Sequence, residues 1–339
     1  MFFLKFKPFN LFAAAVLAAF VGCNSGEECT DCTTPIDAGA IWNDGVFTEP
    51  AFTPDQGVLP EVDAAPVETG PIKVAGVQYG VGNFSTVAGC ETDVCGLTHY
   101  VREAAKQGAK IIVTPEYAAA QIYAEVSPEI GDSPLTDDRW KAEGIMYGFA
   151  KVASEEKVTA IFNVITQVGD GDTAKLYNTQ VAVGPDGKIL GKHYKFHLFG
   201  NETKSLTPGE GAKTNFFDTA AGKIGFLICA DIQCVVNGVG ADCSAAEMKL
   251  LQDFVAEKPD AVFFSAYWTV GQSRGTSSVW WPLNVQKKFA VQTKTYVVAA
   301  NTTFSPGQGG GIFDPQGTIL DSSETNAPAI IYGELPRLK

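Results

Sequence analysis

The chain has 339 residues, of which 45% are hydrophobic and 19% charged, with a formal net charge of −13 at pH 7. That apolar content is ample for a sizeable buried core. The acidic balance excludes a general nucleic-acid binder, which needs Lys/Arg patches to neutralise phosphates, and disfavours adsorption to anionic lipid; it fits a solubilising surface.

Residues 1–22 read as a targeting segment rather than part of the fold. Lys5 and Lys7 give a positive start, and the apolar run from Leu11 to Val21 is too short for a comfortable membrane-spanning helix. It closes in Phe20-Val21-Gly22-Cys23 followed by Asn24, which resembles the lipobox of bacterial lipoproteins. That resemblance implies cleavage before Cys23, a lipid on Cys23, and export to the bacterial cell envelope, at the outer membrane or the periplasmic face. The membrane is then a partner through the N-terminal lipid only. Ordinary secretion with a nearby cut is the alternative. Residues 23–70 read as an acidic, Pro-rich tether: from 24 to 70 there are ten acidic side chains and no Lys or Arg, punctuated by Pro35, Pro50, Pro54, Pro60 and Pro66. Trp42, Phe47 and Phe52 are the tether residues suited to pin it onto the domain that follows.

From 71 to 339 the texture is that of one α/β domain. Ile72 to Tyr79 reads as a buried strand and Leu97 to Gly108 as a helix, with Leu97, Val101, Ala104 and Ala105 on one face. Lys110 to Thr114 is a short apolar strand. Asp137 to Glu156 is an amphipathic helix with Trp140, Ile145, Phe149 and Val152 inward. Strands follow at Thr159 to Gln167 and Asn178 to Gly184, then a turn at Pro185-Asp186-Gly187 and a strand at Lys188 to Leu190. Lys223 to Ile228 is a strand, Ser244 to Glu257 a helix, Ala261 to Phe264 a strand. Trp281 to Thr295 is a helix and Tyr296 to Ala300 a strand. Gly309 to Phe313 and Ala329 to Glu334 are the final strands, with Pro315-Gln316-Gly317 turning between them. The alternation argues for an α/β fold, without fixing sheet order or layer number.

Three segments carry chemistry. In Ile111-Ile112-Val113-Thr114-Pro115-Glu116 a carboxylate follows directly on a buried strand, where functional groups of α/β folds emerge. Taken alone, a glutamate after a strand is more often a solvated surface group. In His193-Tyr194-Lys195-Phe196-His197-Leu198-Phe199-Gly200-Asn201-Glu202 a lysine sits among aromatic and aliphatic residues. It either snorkels over an apolar patch or needs an anionic partner, because burying an unpaired ammonium is costly. In Gly225-Phe226-Leu227-Ile228-Cys229-Ala230-Asp231 a cysteine ends an apolar strand and precedes a small residue. A nucleophile on a tight turn exposes its sulfur and frees the next N–H for an oxyanion; a buried structural cysteine is the alternative.

In this order the three segments resemble the signature of the carbon–nitrogen hydrolase (nitrilase) superfamily, and the resemblance runs from about Ile72 to Glu334, opening on Val74-Ala75-Gly76-Val77-Gln78. It implies an αββα four-layer sandwich, commonly assembled as homodimers. Glu116 is then the general base, Lys195 the oxyanion stabiliser and Cys229 the nucleophile of an amidase acting through a thioester on a small-molecule amide. Glu202 falls where many members place a second glutamate; Ala230 would supply an oxyanion N–H and Asp231 would orient the turn. Tyr117 and Trp268 are candidate pocket residues. The wording of 195–202, of Phe264-Ser265-Ala266-Tyr267-Trp268 and of Gly309-Gly310-Gly311-Ile312-Phe313 is most similar to the vanin/biotinidase branch, which implies pantetheine- or biotin-amide-like substrates. The chain departs from that branch at Ile232-Gln233-Cys234, and no counterpart of its further C-terminal domain is expected.

With Cys23 lipidated and Cys229 free, six cysteines remain as three local pairs: Cys29/Cys32, Cys90/Cys95 and Cys234/Cys243. Export permits disulfides, and spacing leaves their connectivity open. Cys29-x-x-Cys32 lacks a second ligand pair nearby, so no metal is expected, and no cofactor. Of His99, His193 and His197, the last is read as a packed structural residue rather than a papain-like partner of Cys229. The competing readings are a nitrile-hydrolysing nitrilase, an acyltransferase and a non-enzymatic, surface-anchored binding lipoprotein on the same fold.

Overall fold

The computed structural model describes residues 70–80, 82–118, 145–169, 173–209, 216–219, 222–232, 245–268, 281–303, 309–323, 325 and 327–336. Residues 1–22 and 23–69, with Cys23, Cys29 and Cys32, lie outside the described residues, as do Cys234, Cys243 and Trp140.

Among the described residues, two six-stranded sheets form the core. One has the order β12-β1-β2-β3-β4-β5, from Ala329–Leu335 (β12), Ile72–Gln78 (β1), Ile111–Val113 (β2), Thr159–Val168 (β3), Lys175–Val183 (β4) and Ile189–Tyr194 (β5). The other has the order β11-β10-β9-β8-β7-β6, from Ile319–Ser322 (β11), Gly311–Phe313 (β10), Tyr296–Ala300 (β9), Ala261–Ser265 (β8), Gly222–Ile228 (β7) and Phe216–Thr219 (β6). The central strands β1, β2 and β3 run parallel, as do β7, β8 and β9, so the chain leaves each trio at a common edge.

The two-residue period of a strand sorts the apolar side chains into three layers. Val74, Ile111, Val113, Ile161 and Ala182 of the first sheet meet Ile224, Phe226, Ala261, Phe263 and Val298 of the second in a layer between the sheets. The intervening residues Ala75, Ile112, Ala160 and Phe162 pack beneath the helices Asp93–Lys106 (α1) and Ile145–Glu156 (α2). Val262, Phe264, Val297 and Ala299 pack beneath Ala245–Glu257 (α4) and Trp281–Thr293 (α5). Strands buried on both faces read as continuous apolar runs, which is how they stand in the sequence. The layers are therefore αββα.

The sheets pack closely at Gly76, where an added Cβ would lie 2.8 Å from the Ala299 carbonyl oxygen. Helix α1 starts at Asp93, four residues before the apolar periodicity begins, because the Thr92 hydroxyl caps it by accepting from the Cys95 N–H. Cys90 and Cys95 are joined in a disulfide at this entry. Two edge strands escape the sequence reading. Strand β6 is a four-residue piece of intermediate and exposed residues. The turn at Gln316-Gly317 leads into β11 rather than directly to β12, and β11 exposes Ile319 and Leu320, so neither strand shows inward–outward alternation. Strand β5 runs on to Tyr194, delivering the lysine segment.

Candidate active site

Glu116, Lys195 and Cys229 each follow a strand: three residues past β2, directly past β5 and directly past β7. All are buried, with 1%, 2% and 5% exposure. Lys195 is buried rather than snorkelling, and its ammonium has two anionic partners: Nζ lies 2.7 Å from Glu116 Oε1 and 2.8 Å from Glu202 Oε2. Glu202 opens the one-turn helix Glu202–Ser205 (α3) and also accepts from the Phe199 N–H at 2.8 Å and from the Tyr117 hydroxyl.

Cys229 heads a 3-10 turn, Cys229–Ile232, with φ 44°, in the left-handed region that costs a residue with a side chain about 1–2 kcal/mol. Tyr117, next to Glu116, has φ 54°. Such outliers persist where the surroundings over-determine them and cluster at functional sites. At the cysteine turn the restraint is Asp231. Its Oδ2 accepts from the Ile228 N–H at 3.0 Å and lies 2.7 Å from His193 Nε2, and its Oδ1 accepts from the N–H groups of Phe196 and His197 at 2.9 and 2.8 Å. One carboxylate thus ties the cysteine turn to the lysine segment.

Charge and burial set the proton positions. Burial pushes the Glu116 carboxyl up; the Lys195 ammonium opposes this, Glu202 adds to it, and the Asn178 hydrogen bond opposes it, with a net upward result. Burial pulls Lys195 down, but the facing carboxyl groups of Glu116 and Glu202 outweigh it and hold the ammonium protonated. Burial drives the Cys229 thiol well above its ordinary range, reinforced by Glu116 and relieved by Lys195 and by a hydrogen bond from the Tyr267 backbone. At rest the site therefore holds a neutral thiol beside a lysine ammonium flanked by two buried carboxyl groups. It can pass a proton from sulfur to a carboxyl and meet a developing oxyanion with a fixed positive charge.

The carbon–nitrogen hydrolase family model matches residues 74–338. The chain belongs to the carbon–nitrogen hydrolase family. It is 34% identical over 143 residues to omega-amidase NIT2 of Homo sapiens, covering 40% of this chain and 48% of that one. It is 30% identical over 204 residues to the chloroplastic omega-amidase of Arabidopsis thaliana, covering 54% and 49%. The chain spans about half the length of the curated relatives it matches. Among solved structures it is similar to Saccharomyces cerevisiae Nit3, of branch 10 of the nitrilase superfamily, with TM-score 0.57 and 22% identity over 81% of this chain and 93% of that one. It is also similar to an amidase from Nesterenkonia sp., with TM-score 0.58 and 16% identity over 80% and 92%. These two likenesses concern the fold.

In this carbon–nitrogen hydrolase the structure brings Glu116, Tyr117, Lys195, Glu202, Cys229, Ala230 and Asp231 together. Trp268 is placed in the apolar cluster that also contains Cys229, against Phe264 at a ring distance of 5.0 Å, with its backbone clamped by the Asn301 amide. Sequence reading missed three contributors. Tyr267 adds its backbone N–H to Cys229 and its ring edge to Tyr117 at 6.2 Å. Asn178, on β4, reaches Glu116 Oε1 at 2.8 Å and Glu202 Oε1 at 2.9 Å, and Asn163, on β3, lies behind it. The available signal was an Asn in each of two strands otherwise dominated by apolar and Thr residues.

Proposed function

We propose that this chain is an exported, lipid-anchored amidase that hydrolyses a small-molecule amide through a thioester on Cys229. The observation that carries the reading is the buried Lys195 ammonium held between Glu116 and Glu202 beside a buried cysteine on a strained turn. Glu116 takes the thiol proton as sulfur attacks the amide carbon. The tetrahedral oxyanion lies between the Lys195 ammonium and the Ala230 N–H, each such donor contributing about 3 kcal/mol. Collapse breaks the C–N bond, and Glu116 returns the proton to the departing amine or ammonia. Water, deprotonated by Glu116, then cleaves the thioester to the acid and restores the thiol. These steps call on no metal or organic cofactor.

The omega-amidase relatives support a terminal carboxamide as the scissile group. The wording of 195–202, 264–268 and 309–313 supports pantetheine- or biotin-amide-like substrates as the second class. Export and anchoring rest on Lys5, Lys7, the run from Leu11 to Val21, and Cys23-Asn24. The test is release of ammonia and amine from terminal carboxamides, pantetheine, biotinyl-lysine and a nitrile, with wild type beside Cys229→Ala. Amide turnover lost in the variant is expected, and turnover that survives it overturns the nucleophile assignment. For the anchor, Cys23→Ala should move the protein from the membrane fraction to the soluble one.

A further inference from the structure

Among the described residues, the two buried carboxyl groups of the site are served by one ammonium. The second donor between them is Asn178 Nδ2, and whether an asparagine end is an N–H donor or an oxygen acceptor is decided by its partners. Here the decision starts at a group that cannot be reversed. The Tyr117 backbone N–H donates to Asn163 Oδ1 at 3.0 Å. Asn163 Nδ2 therefore points the other way, and both its hydrogens have acceptors: Asn178 Oδ1 at 2.6 Å and the Thr179 carbonyl at 3.2 Å. Turning Asn163 over would set donor against donor at Tyr117 and acceptor against acceptor at Thr179. With Oδ1 committed to Asn163, Asn178 presents its NH2 to Glu116 Oε1 and Glu202 Oε1, with the Tyr117 hydroxyl oxygen also 2.9 Å from Nδ2; all three are acceptors for an N–H. Both asparagines are almost wholly buried, so water cannot substitute for either. They lie on the faces of β3 and β4 that look toward the second sheet, in line with Ile161 and Ala182.

We propose that Asn163 and Asn178 form an amide relay, anchored on the Tyr117 backbone N–H, that keeps a donor rather than a carbonyl oxygen facing Glu116 and Glu202. Asn178 is in this sense a positioning residue for the proposed general base, and Asn163 acts only through Asn178. The inference rests on the amidase reading. A donor on the ionised form of a carboxyl favours that form, and reversal of Asn178 would place an oxygen there instead. The groups facing Glu116 are Lys195 beyond β5, Glu202 on α3, Cys229 beyond β7, Tyr117 beyond β2 and Tyr267 beyond β8. Asn178 is the neutral amide donor added to them.

The test measures the pH dependence of Cys229 alkylation by iodoacetamide, followed on the Cys229 peptide by mass spectrometry, so that no substrate need be known. Asn163→Asp keeps the shape and still accepts from Tyr117, but it cannot donate to Asn178 and forces that amide to turn over. Its acid-limb midpoint is expected about one pH unit above wild type, with Asn178→Leu displaced similarly. The double variant is expected to show no shift beyond Asn178→Leu alone. An additive double variant means that the introduced carboxylate acts by its own charge and overturns the relay, as does a midpoint left in place by Asn163→Asp. Asn163→Leu and Asn178→Ala serve if the first pair does not fold. Amide turnover that survives Cys229→Ala overturns the function reading and the relay's role with it; turnover lost there with an unmoved Asn163→Asp midpoint overturns the relay alone.

Discussion

Asp231 Oδ2 lies 2.7 Å from His193 Nε2, with both side chains buried, and this contact joins the end of β5 to the turn that carries Cys229. Because the same carboxylate also accepts from three backbone N–H groups, its removal leaves several buried donors without partners. Each such group costs about 1–3 kcal/mol. Asp231→Ala is therefore expected to lose at least about 2 kcal/mol in urea denaturation and to lose activity at temperatures where it remains folded. A variant as stable as wild type would show that the turn is held by other contacts.

Lys195→Met leaves Glu116 and Glu202 facing each other without their cation, and breaking a buried pair in this way costs about 3–5 kcal/mol. The pH dependence has a definite sign. The folded state raises the Lys195 ammonium above its ordinary 10.5, so its stabilisation is fully present below pH 10.5 and is lost as pH rises through the higher folded value. On the alkaline side the wild-type advantage over Lys195→Met, read from unfolding curves, should hold to about pH 10.5 and narrow only above it; on the acid side it narrows as the two carboxyls left facing each other take up a proton. A gap that closed as pH was raised from about 7 to 9 would contradict the assignment.

The Cys229 thiol is driven upward by burial, so the resting protein should carry no thiolate at neutral pH. The ultraviolet thiolate absorbance of wild type minus Cys229→Ala is expected to be absent there and to emerge only in alkali. A thiolate signal at neutral pH would mean that the cysteine rests as an ion pair with Lys195, and Glu116 would have no thiol proton to take.

Gly76→Ala should destabilise the fold without touching the chemistry. Its Cβ would meet the Ala299 carbonyl oxygen at 2.8 Å, a backbone atom that cannot swing aside. Overpacking of this kind costs about 1–3 kcal/mol. The expected result is a lowered melting temperature with unchanged alkylation of Cys229 below it.

Periodicity and composition suffice to read β1, β2, β3, β7, β8 and β9, because strands buried on both faces are uninterrupted apolar runs. The residues that follow three of the strands in this chain, Glu116, Lys195 and Cys229, are legible for the same reason: a polar or reactive group stands out against apolar sequence. The entry of α1 lies four residues ahead of its apolar stripe because a capping hydroxyl starts that helix. β6 and β11 are invisible in the sequence because a four-residue edge strand with no fully buried residue has no alternation to read.

The order of amino acids is enough to say which side chains can do chemistry, and that Lys195, set among aromatic residues, either snorkels to solvent or finds a negative partner. That there are two partners is settled by the packing of the sheets. So is the role of Asp231 in binding the cysteine turn to the lysine segment, and the place of Asn163 and Asn178 behind the carboxylates. The division follows from range. Hydrophobic period and local charge act over a few residues, whereas Glu116, Asn178, Lys195 and Cys229 meet only when β2, β4, β5 and β7 are placed in two packed sheets, and the register that places them is set by contacts far apart in the chain.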